Sequence, residues 1–564
     1  MKKSSIVTAA FALWLFLSPS AKAGASPVLL SFDVEEAADV AALNKLRVPV
    51  PATYFITGSF ARSNPEIVRA LAGRENTIGS HSDTHPHFTR LDQESIEREV
   101  ATSKQSLEAI SGRQVTWFRA PYLEYDDRLM QALKAAGFRG DSSDKEAWAN
   151  QSTIFELPIS NFIDASLIAS DYDMIDEARY TNHRFRETLE KMYREKAQSG
   201  QPFVVLLHPR IVARETEAFR EFIKWAKRHE ARFLSADSYI ADIQKRQTQR
   251  HCVWIEPISP ERNPEQVVAG IAALGVTDAF IKATDAKGNR YFTGNAEDAF
   301  GRTVSLLRAK KIRVHAVMSV LADEKAAQQH PEWSMISRSG ERSSAWISPS
   351  SPAVTEYLNS CLQELVRTYR LDGVCLENLA YPGTEFDYSP ALFSAYAHDA
   401  KLKRVPKLSE LLNADFTSWS TWHAQQIADL AGILKKTVNR EGEGKIEVSA
   451  IVPAGLAINY RESERTGQSV AMLGRNVDLL IADLPRSGSR DTNELQLFAL
   501  RLQGGNRPVL VRLLENADRK STTTETTAPV RELAHMGVDG IGILSDNDVT
   551  GLNKARELFG GAAH

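Results

Sequence analysis

VLLSFDVE, residues 28–35, is a nearly continuous apolar run that ends in carboxylates, with Asp33 and Glu35 two positions apart. A run of this kind suits a strand buried on both faces of a parallel sheet, because crossover helices cover both sides. Reactive groups in such sheets gather where the strands end, and residues two apart share a face, so Asp33 and Glu35 are candidates for one site. Outward from this strand, TYFIT (53–57), NPEIVRALAG (64–73), QPFVVLL (201–207) and ARFLS (231–235) alternate short apolar runs with amphipathic stretches. That is βα alternation. Helical apolar spacing is expected over 92–110 and 126–136. The polar, basic stretch 244–250 interrupts the pattern and is read as a linker.

The rhythm restarts after it. HCVWIEP (251–257), DAFIKA (278–283), IRVHAVMSVL (312–321), LDGVCLENL (371–379), KIEVSAIVP (445–453), VDLLIADLP (477–485), RPVLVRLLEN (507–516) and VDGIGILSD (538–546) are the apolar cores of successive βα units. Eight such units over roughly 310 residues have the length and repetition of a (β/α)8 barrel. A long helix is expected over 421–437, and STTTETTAP (521–529) is read as a polar loop.

A chain of 564 residues exceeds what one core serves, and 43% hydrophobic with 25% charged residues excludes disorder as its theme. Residues 1–23 read as a secretory leader: Lys2 and Lys3, an apolar stretch from Ile6 to Leu17, then Ala21-Lys22-Ala23 as a small-x-small cleavage signal. The expected location is periplasmic or secreted. No later segment approaches about 20 uninterrupted apolar residues, so no membrane span is expected after leader removal. With 68 basic against 71 acidic side chains, and lysines lost with the leader, the chain lacks the basic excess of a nucleic-acid binder. A neutral or cationic partner is expected instead. Three cysteines, Cys252, Cys361 and Cys375, are too few for a disulfide scaffold and lack the CxxC spacing of a thiolate zinc site.

Four short patterns in the first half carry the chemistry. The first is SFDVE. The second is HSDTH, in which His81 and His85 stand four apart, so a helical turn or tight loop aims both imidazoles at one metal ion. Two histidines and a carboxylate make an open site for zinc or a similar divalent ion, with room for water and substrate. The third is FRAPY (118–122), and the fourth is VVLLHP (204–209), which puts His208 at the end of a buried strand. Singly, each is common: an HxxxH pair often lies on a surface, and RAPY often marks a turn. In this order, each after an apolar strand, they point to one site.

These motifs and their order resemble the NodB-homology polysaccharide deacetylases of carbohydrate esterase family 4, over residues 27–243. The resemblance implies an α/β fold whose N-terminal domain is a distorted (β/α) barrel, and metal-dependent removal of N-acetyl groups from an amino-sugar polysaccharide. It implies Asp33 as general base, His208 as general acid, Glu35, His81 and His85 as ligands of a divalent ion (zinc first, cobalt or nickel as alternatives), and Arg119 as the group orienting Asp33. The Tyr122 N–H would help hold the oxyanion, Leu207 would shape the acetyl pocket, and Asp144 or Asp141 would support the catalytic histidine. This sequence departs from the family's adjacent aspartates, because Val34 follows Asp33, so Glu36 stays open beside Glu35. The tryptophan expected near the acidic motif stands at Trp148.

Residues 251–560 resemble the glycoside-hydrolase-like barrels fused to such deacetylases in periplasmic proteins that process poly-β-1,6-N-acetylglucosamine. The resemblance rests on domain order and on LDGVCLENLAYP (371–382), where Glu377 takes the carboxylate position of the barrel signature. Barrel enzymes place reactive groups at strand C-termini, so Glu256, Asp285, Glu377, Asp483, Glu515 and Asp546 are candidates, with Glu377 foremost. Trp254, Trp333, Trp346, Trp419 and Trp422 are candidates for stacking on sugar rings, or else core residues. The leading expectation is deacetylation by the first domain and binding or cleavage of the deacetylated polymer by the second, with exopolysaccharide secretion machinery as a partner. The alternatives are a carbohydrate-binding export scaffold with an inactive barrel, and a deacetylase of peptidoglycan or another acylated sugar.

Overall fold

The computed structural model describes residues 26–73, 75–144, 154–162, 167–245, 250–408, 416–485, 490–505, 507–514, 533, 536 and 538–544. The leader, Trp148, Glu515 and Asp546 lie outside them.

The first eight strands are β1 (Pro27–Val34), β2 (Thr53–Ile56), β3 (Thr77–Ser80), β4 (Trp117–Phe118), β5 (Gly140–Asp141), β6 (Phe155–Glu156), β7 (Phe203–Leu207) and β8 (Arg232–Phe233). They form one open, curved parallel sheet in the order β6-β5-β4-β3-β2-β1-β7, with β8 paired to the start of β1. Every residue of β1 is buried, as its apolar run requires. Alternation divides its side chains between two faces. Val28, Leu30, Phe32 and Val34 join the core beneath the helices, while Leu29 faces the other way with Phe55, Trp117 and Val204.

The helices begin and end where local chemistry dictates. In the helix Gln93–Ser111, Asp92 accepts a hydrogen bond from the Ser95 N–H, Ile96, Val100, Ser103 and Leu107 make the buried stripe, and Gly112 terminates it at φ 67°. Asp126 caps Asp127–Ala135 in the same way.

The helix Ala236–Gln244 ends the first unit, and β9 (Arg250–Ile255) opens the second. Strands β10 (Asp278–Lys282), β11 (Arg313–Ser319), β14 (Gly373–Glu377), β15 (Glu447–Pro453), β16 (Leu479–Pro485), β17 (Val509–Leu514) and β18 (Gly540–Leu544) return to β9 and close an eight-stranded parallel barrel. These are the eight runs read from the sequence. A hairpin of β12 (Ser334–Ile336) and β13 (Arg342–Ile347) is inserted between β11 and β14. The long helix runs from Phe416 to Glu441, longer at both ends than its apolar spacing suggested.

The barrel interior holds Cys252, Trp254, Phe280, Val317, Cys375, Ile451, Leu479, Ile481 and Leu510. Trp254 stacks on Phe280 at 4.3 Å and is 4% exposed, and Trp419 is 1% exposed against Tyr388, Phe393 and Tyr396. Both fill cores, so neither is a sugar platform. All three cysteines are buried free thiols. Among the described residues no helix is long and apolar enough to cross a membrane.

The two units share a core. Leu495, Phe498 and Leu502, on the barrel helix Arg490–Gln503, pack with Leu29, Phe55, Trp117, Phe155 and Val204 on one face of the first sheet and with Tyr239 of the helix Ala236–Gln244. Phe498 lies 4.7 Å from Phe155 between ring centroids, and the Gln244 side-chain amide donates to Glu494 at 3.0 Å.

Candidate active site

Asp33 lies at the end of β1, and His81, Arg119 and His208 each stand one residue past β3, β4 and β7. Parallel registers that pair Asp33 with Phe55, Ser80 with Phe118 and Phe32 with Leu207 bring these four to one carboxyl-terminal edge.

Arg119 is wholly buried and organises the acidic side of the site. Its Nη1 donates to Asp33 Oδ1 at 2.9 Å, its Nη2 to the hydroxyls of Ser31 and Ser142, and its Nε to the Ser142 carbonyl at 2.8 Å. The guanidinium also lies over the Phe55 ring, 4.2 Å from its centroid. With four of the five guanidinium N–H groups so engaged, Asp33 Oδ1 is held and Oδ2 turns toward the histidines, 3.8 Å from His81 Nε2.

Glu35 Oε1 is the meeting point. It lies 3.3 Å from His81 Nε2, 3.1 Å from His85 Nε2 and 3.9 Å from His208 Nε2. His81 Nδ1 faces the Arg119 carbonyl at 2.8 Å, where only an N–H can bond, which leaves Nε2 to present its lone pair to a ligand. His85 reaches the same point through a left-handed backbone, φ 64°, with its N–H donating to the Ser82 hydroxyl at 2.9 Å. Glu99 receives the N–H groups of Asp83 and Thr84, and Arg62 clasps Asp83, so the HSDTH loop is tied on both sides. Ligand atoms around a tetrahedral zinc with bonds of about 2.0–2.1 Å sit roughly 3.3 Å apart, and the Glu35 and histidine atoms show that spacing. One carboxylate and two imidazoles converging in this way fit a divalent ion. Burial raises the pKa of Glu35, but the His81 and His85 rings set against Oε1 and the charge of His208 outweigh it and hold the carboxyl far below the usual range. Glu36, the alternative ligand, has a 61% exposed side chain directed at Arg210, not at the histidines.

His208 is set by a residue absent from the sequence expectations. Asp171, wholly buried, accepts from His208 Nδ1 at 2.9 Å and from the His208 backbone N–H at 2.7 Å. This corrects the expectation that Asp144 or Asp141 supports the histidine. Asp144 accepts from the Tyr125 hydroxyl at 2.8 Å, and Asp141 turns back on the Ser143 hydroxyl and N–H. Asp141 ends β5 and Asp144 lies three residues past it, with four strands between β5 and β7, so neither reaches His208. Burial pulls the His208 pKa down, but the charge and hydrogen bond of Asp171, with Asp33 and Glu35 beyond, lift it to about 9.

At the mouth, Tyr122 adopts φ 59°, a left-handed conformation uncommon for its residue type and frequent at functional sites. Its N–H makes no hydrogen bond to the described residues, and its 54% exposed ring lies against His85 and His87. Leu207 is fully buried beneath the helices.

In the barrel, Glu377 ends β14 and Asp483 lies near the end of β16, and one guanidinium joins them. Arg512 donates from Nη1 to Glu377 at 2.6 Å and from Nε and Nη2 to Asp483 at 2.6 and 2.8 Å. Glu256 pairs with Lys282, and Asp285 is taken up by Asn289 and Tyr291 in its own loop.

Residues 21–140 match the family model described as polysaccharide deacetylase, and residues 297–528 match that of glycosyl hydrolase-like 10. The chain is 28% identical over 127 residues to a chitooligosaccharide deacetylase of Sinorhizobium fredii, an alignment covering 21% of this chain and 57% of that protein. It is 32% identical over 83 residues to a peptidoglycan-N-acetylmuramic acid deacetylase of Bacillus subtilis, covering 15% of this chain and 18% of that protein. It thus spans little more than half the length of the first relative and less of the second. Among solved structures, the glycoside hydrolase domain of PgaB (BpsB) from Bordetella bronchiseptica superposes with a TM-score of 0.48 at 17% identity, over 55% of this chain and 98% of that one. The stretch matched to the deacetylase family contains Asp33, Glu35, His81, His85, Arg119 and Tyr122 and stops short of Asp171 and His208. The chain carries a domain of the polysaccharide deacetylase family followed by a glycosyl hydrolase-like 10 domain.

Proposed function

We propose that this protein is an exported, metal-dependent deacetylase that hydrolyses N-acetyl groups on an amino-sugar polymer of the poly-N-acetylglucosamine type. The observation that carries the reading is the convergence of His81, His85 and His208 on Glu35 Oε1 beside an Asp33 held by Arg119. A divalent ion at Glu35, His81 and His85, zinc first and cobalt or nickel as alternatives, would polarise the acetamide carbonyl and acidify a water. Asp33 Oδ2, the oxygen left free by Arg119, accepts the proton of the attacking water. His208, protonated at neutral pH, presents Nε2–H to the departing amine, because Nδ1 is engaged by Asp171. Two groups titrating apart are what acid and base roles require. The unbonded Tyr122 N–H is available to the developing oxyanion.

The barrel receives the product. Deacetylation creates ammonium groups, and Glu377 with Asp483 offers two carboxylates against one guanidinium at the strand ends, a net negative patch for them. Because Arg512 engages both carboxylates, binding of the deacetylated polymer needs no rearrangement, whereas cleavage by this pair needs Arg512 to withdraw. Export to the periplasm is proposed on the leader-like residues 1–23, and work beside an exopolysaccharide secretion machine on the likeness of the domain order to periplasmic proteins that process poly-β-1,6-N-acetylglucosamine.

Acetate release from poly-β-1,6-N-acetylglucosamine, chitin oligomers and peptidoglycan, with chain length followed by mass spectrometry, tests the reading. Preferred release from the first at constant chain length supports it. Preferred release from peptidoglycan moves the substrate, shortened products make the barrel a glycosidase, and polymer binding without release leaves a binding scaffold. Asp33→Asn is expected to lower release at least about a hundredfold with the fold retained, and wild-type release by this variant would remove Asp33 as base.

A further inference from the structure

The carboxylate at the centre of the site is gripped from its far side. While Oε1 of Glu35 faces the three histidines, Oε2 accepts from Arg210 Nη2 at 2.6 Å. Arg210 stands two residues after His208, and its own position is fixed by Asp39. That aspartate is fully buried and accepts from the Arg210 backbone N–H at 3.1 Å, from Arg210 Nη1 at 3.3 Å, and from the backbone N–H groups of Glu35 and Glu36 at 2.9 Å each. One buried carboxylate therefore ties the loop that carries Glu35 to the segment that carries His208, and a guanidinium closes the circuit on Oε2.

From this network we infer that Arg210 is a positioning residue that restricts Glu35 to one-oxygen ligation of the metal ion and so keeps a coordination position open for substrate. The inference rests on the reading of Glu35, His81 and His85 as metal ligands. A glutamate with both oxygens free can chelate an ion through both. Here the second oxygen is occupied by a charge-assisted hydrogen bond from a cation, which also keeps a second positive charge from approaching that side. Catalytic zinc sites leave a position open beside three protein ligands, and a second Glu35 oxygen would fill it. Asp39 makes the arrangement rigid, because Arg210 can follow a rotating Glu35 carboxylate only by leaving its own buried partner.

The full chain is loaded with zinc alone, and its coordination is read by X-ray absorption fine structure for the wild type, Arg210→Met and Arg210→Lys. Circular dichroism confirms that each variant is folded. Arg210→Met is expected to gain one oxygen neighbour at zinc while binding zinc no more weakly than the wild type, and its acetate release per bound zinc should fall by at least about tenfold. Arg210→Lys, which keeps a cation on Oε2, should retain the wild-type coordination number. An unchanged coordination number in Arg210→Met overturns the inference, as does the same gain in Arg210→Lys. If the wild type fails to bind zinc through imidazole and carboxylate donors, the metal reading itself fails, an outcome distinct from either.

Discussion

Replacing Asp171 by asparagine keeps a hydrogen-bond acceptor beside His208 Nδ1 and removes the charge. The His208 pKa stands at about 9 against an ordinary 6.5; burial works against this lift, and Asp171 is its largest cause. A lift of that size corresponds to roughly 3 kcal/mol of preference for the protonated ring. Without the carboxylate, a ring near its ordinary value is protonated in only about one molecule in thirty at pH 8, and burial lowers that fraction further. The assay is acetate release across pH 5.5–10 at saturating metal, fitted as kcat/KM. The wild type should hold its rate until a basic limb near pH 9, and Asp171→Asn should bring that limb down by about two pH units or more, with about thirtyfold less activity at pH 8. Asp144→Asn, whose carboxylate meets Tyr125, should leave the limb in place. A basic limb that stays put in Asp171→Asn, or moves only in Asp144→Asn, refutes the assignment of His208 as an acid poised by Asp171.

The same pair links stability to pH. Because folding raises the His208 pKa from 6.5 to about 9, its stabilising contribution is complete below about 6.5 and is lost as pH rises through about 9. The difference in thermal midpoint between wild type and Asp171→Asn in the metal-free protein should therefore be larger at pH 6 than at pH 10, and calorimetry showing the opposite trend would refute the sign. Phe498→Ala, at the core shared by the two units, should cost about 3 kcal/mol in denaturant unfolding, whereas a loss under about 1 kcal/mol would mean that the two units barely depend on each other. Arg512→Met strands the Glu377 and Asp483 carboxylates, each 22% exposed, and should cost up to about 3 kcal/mol, less than a fully buried pair because both reach solvent. A thermal midpoint equal to wild type would show that the guanidinium is dispensable.

Strand identity was legible throughout the barrel because a parallel strand buried on both faces must be apolar along its length, as in IRVHAVMSVL and VDLLIADLP. The convergence of Asp33, His81, Arg119 and His208 was legible for a related reason, since each stands at or just past the end of a strand, and His85 was legible from its four-residue spacing to His81. Asp171 carries no such mark. It starts a short helical turn, Tyr172–Glu177, after an irregular connection, and nothing within a few residues ties it to His208. Arg210 stood in plain view in the run His208-Pro209-Arg210, but its target is Glu35, 175 positions away, a pairing set by sheet order alone. Trp254 and Trp419 took the core side of the two readings left open for them, since a tryptophan in a strand or at the start of a helix can as well turn inward as outward. Leu495, Phe498 and Leu502 show ordinary helical spacing, and that pattern marks a buried stripe without naming the surface it buries.

Acetate release from a soluble poly-β-1,6-N-acetylglucosamine oligomer, measured before chelation, after chelation and after zinc is returned, tests the site most directly. The arrangement of Glu35, His81 and His85 calls for release that stops on chelation and recovers with added zinc, and recovery should fail in His81→Ala. Release that persists after complete removal of metal, or that recovers equally in His81→Ala, would contradict a metal-dependent deacetylase centred on these residues.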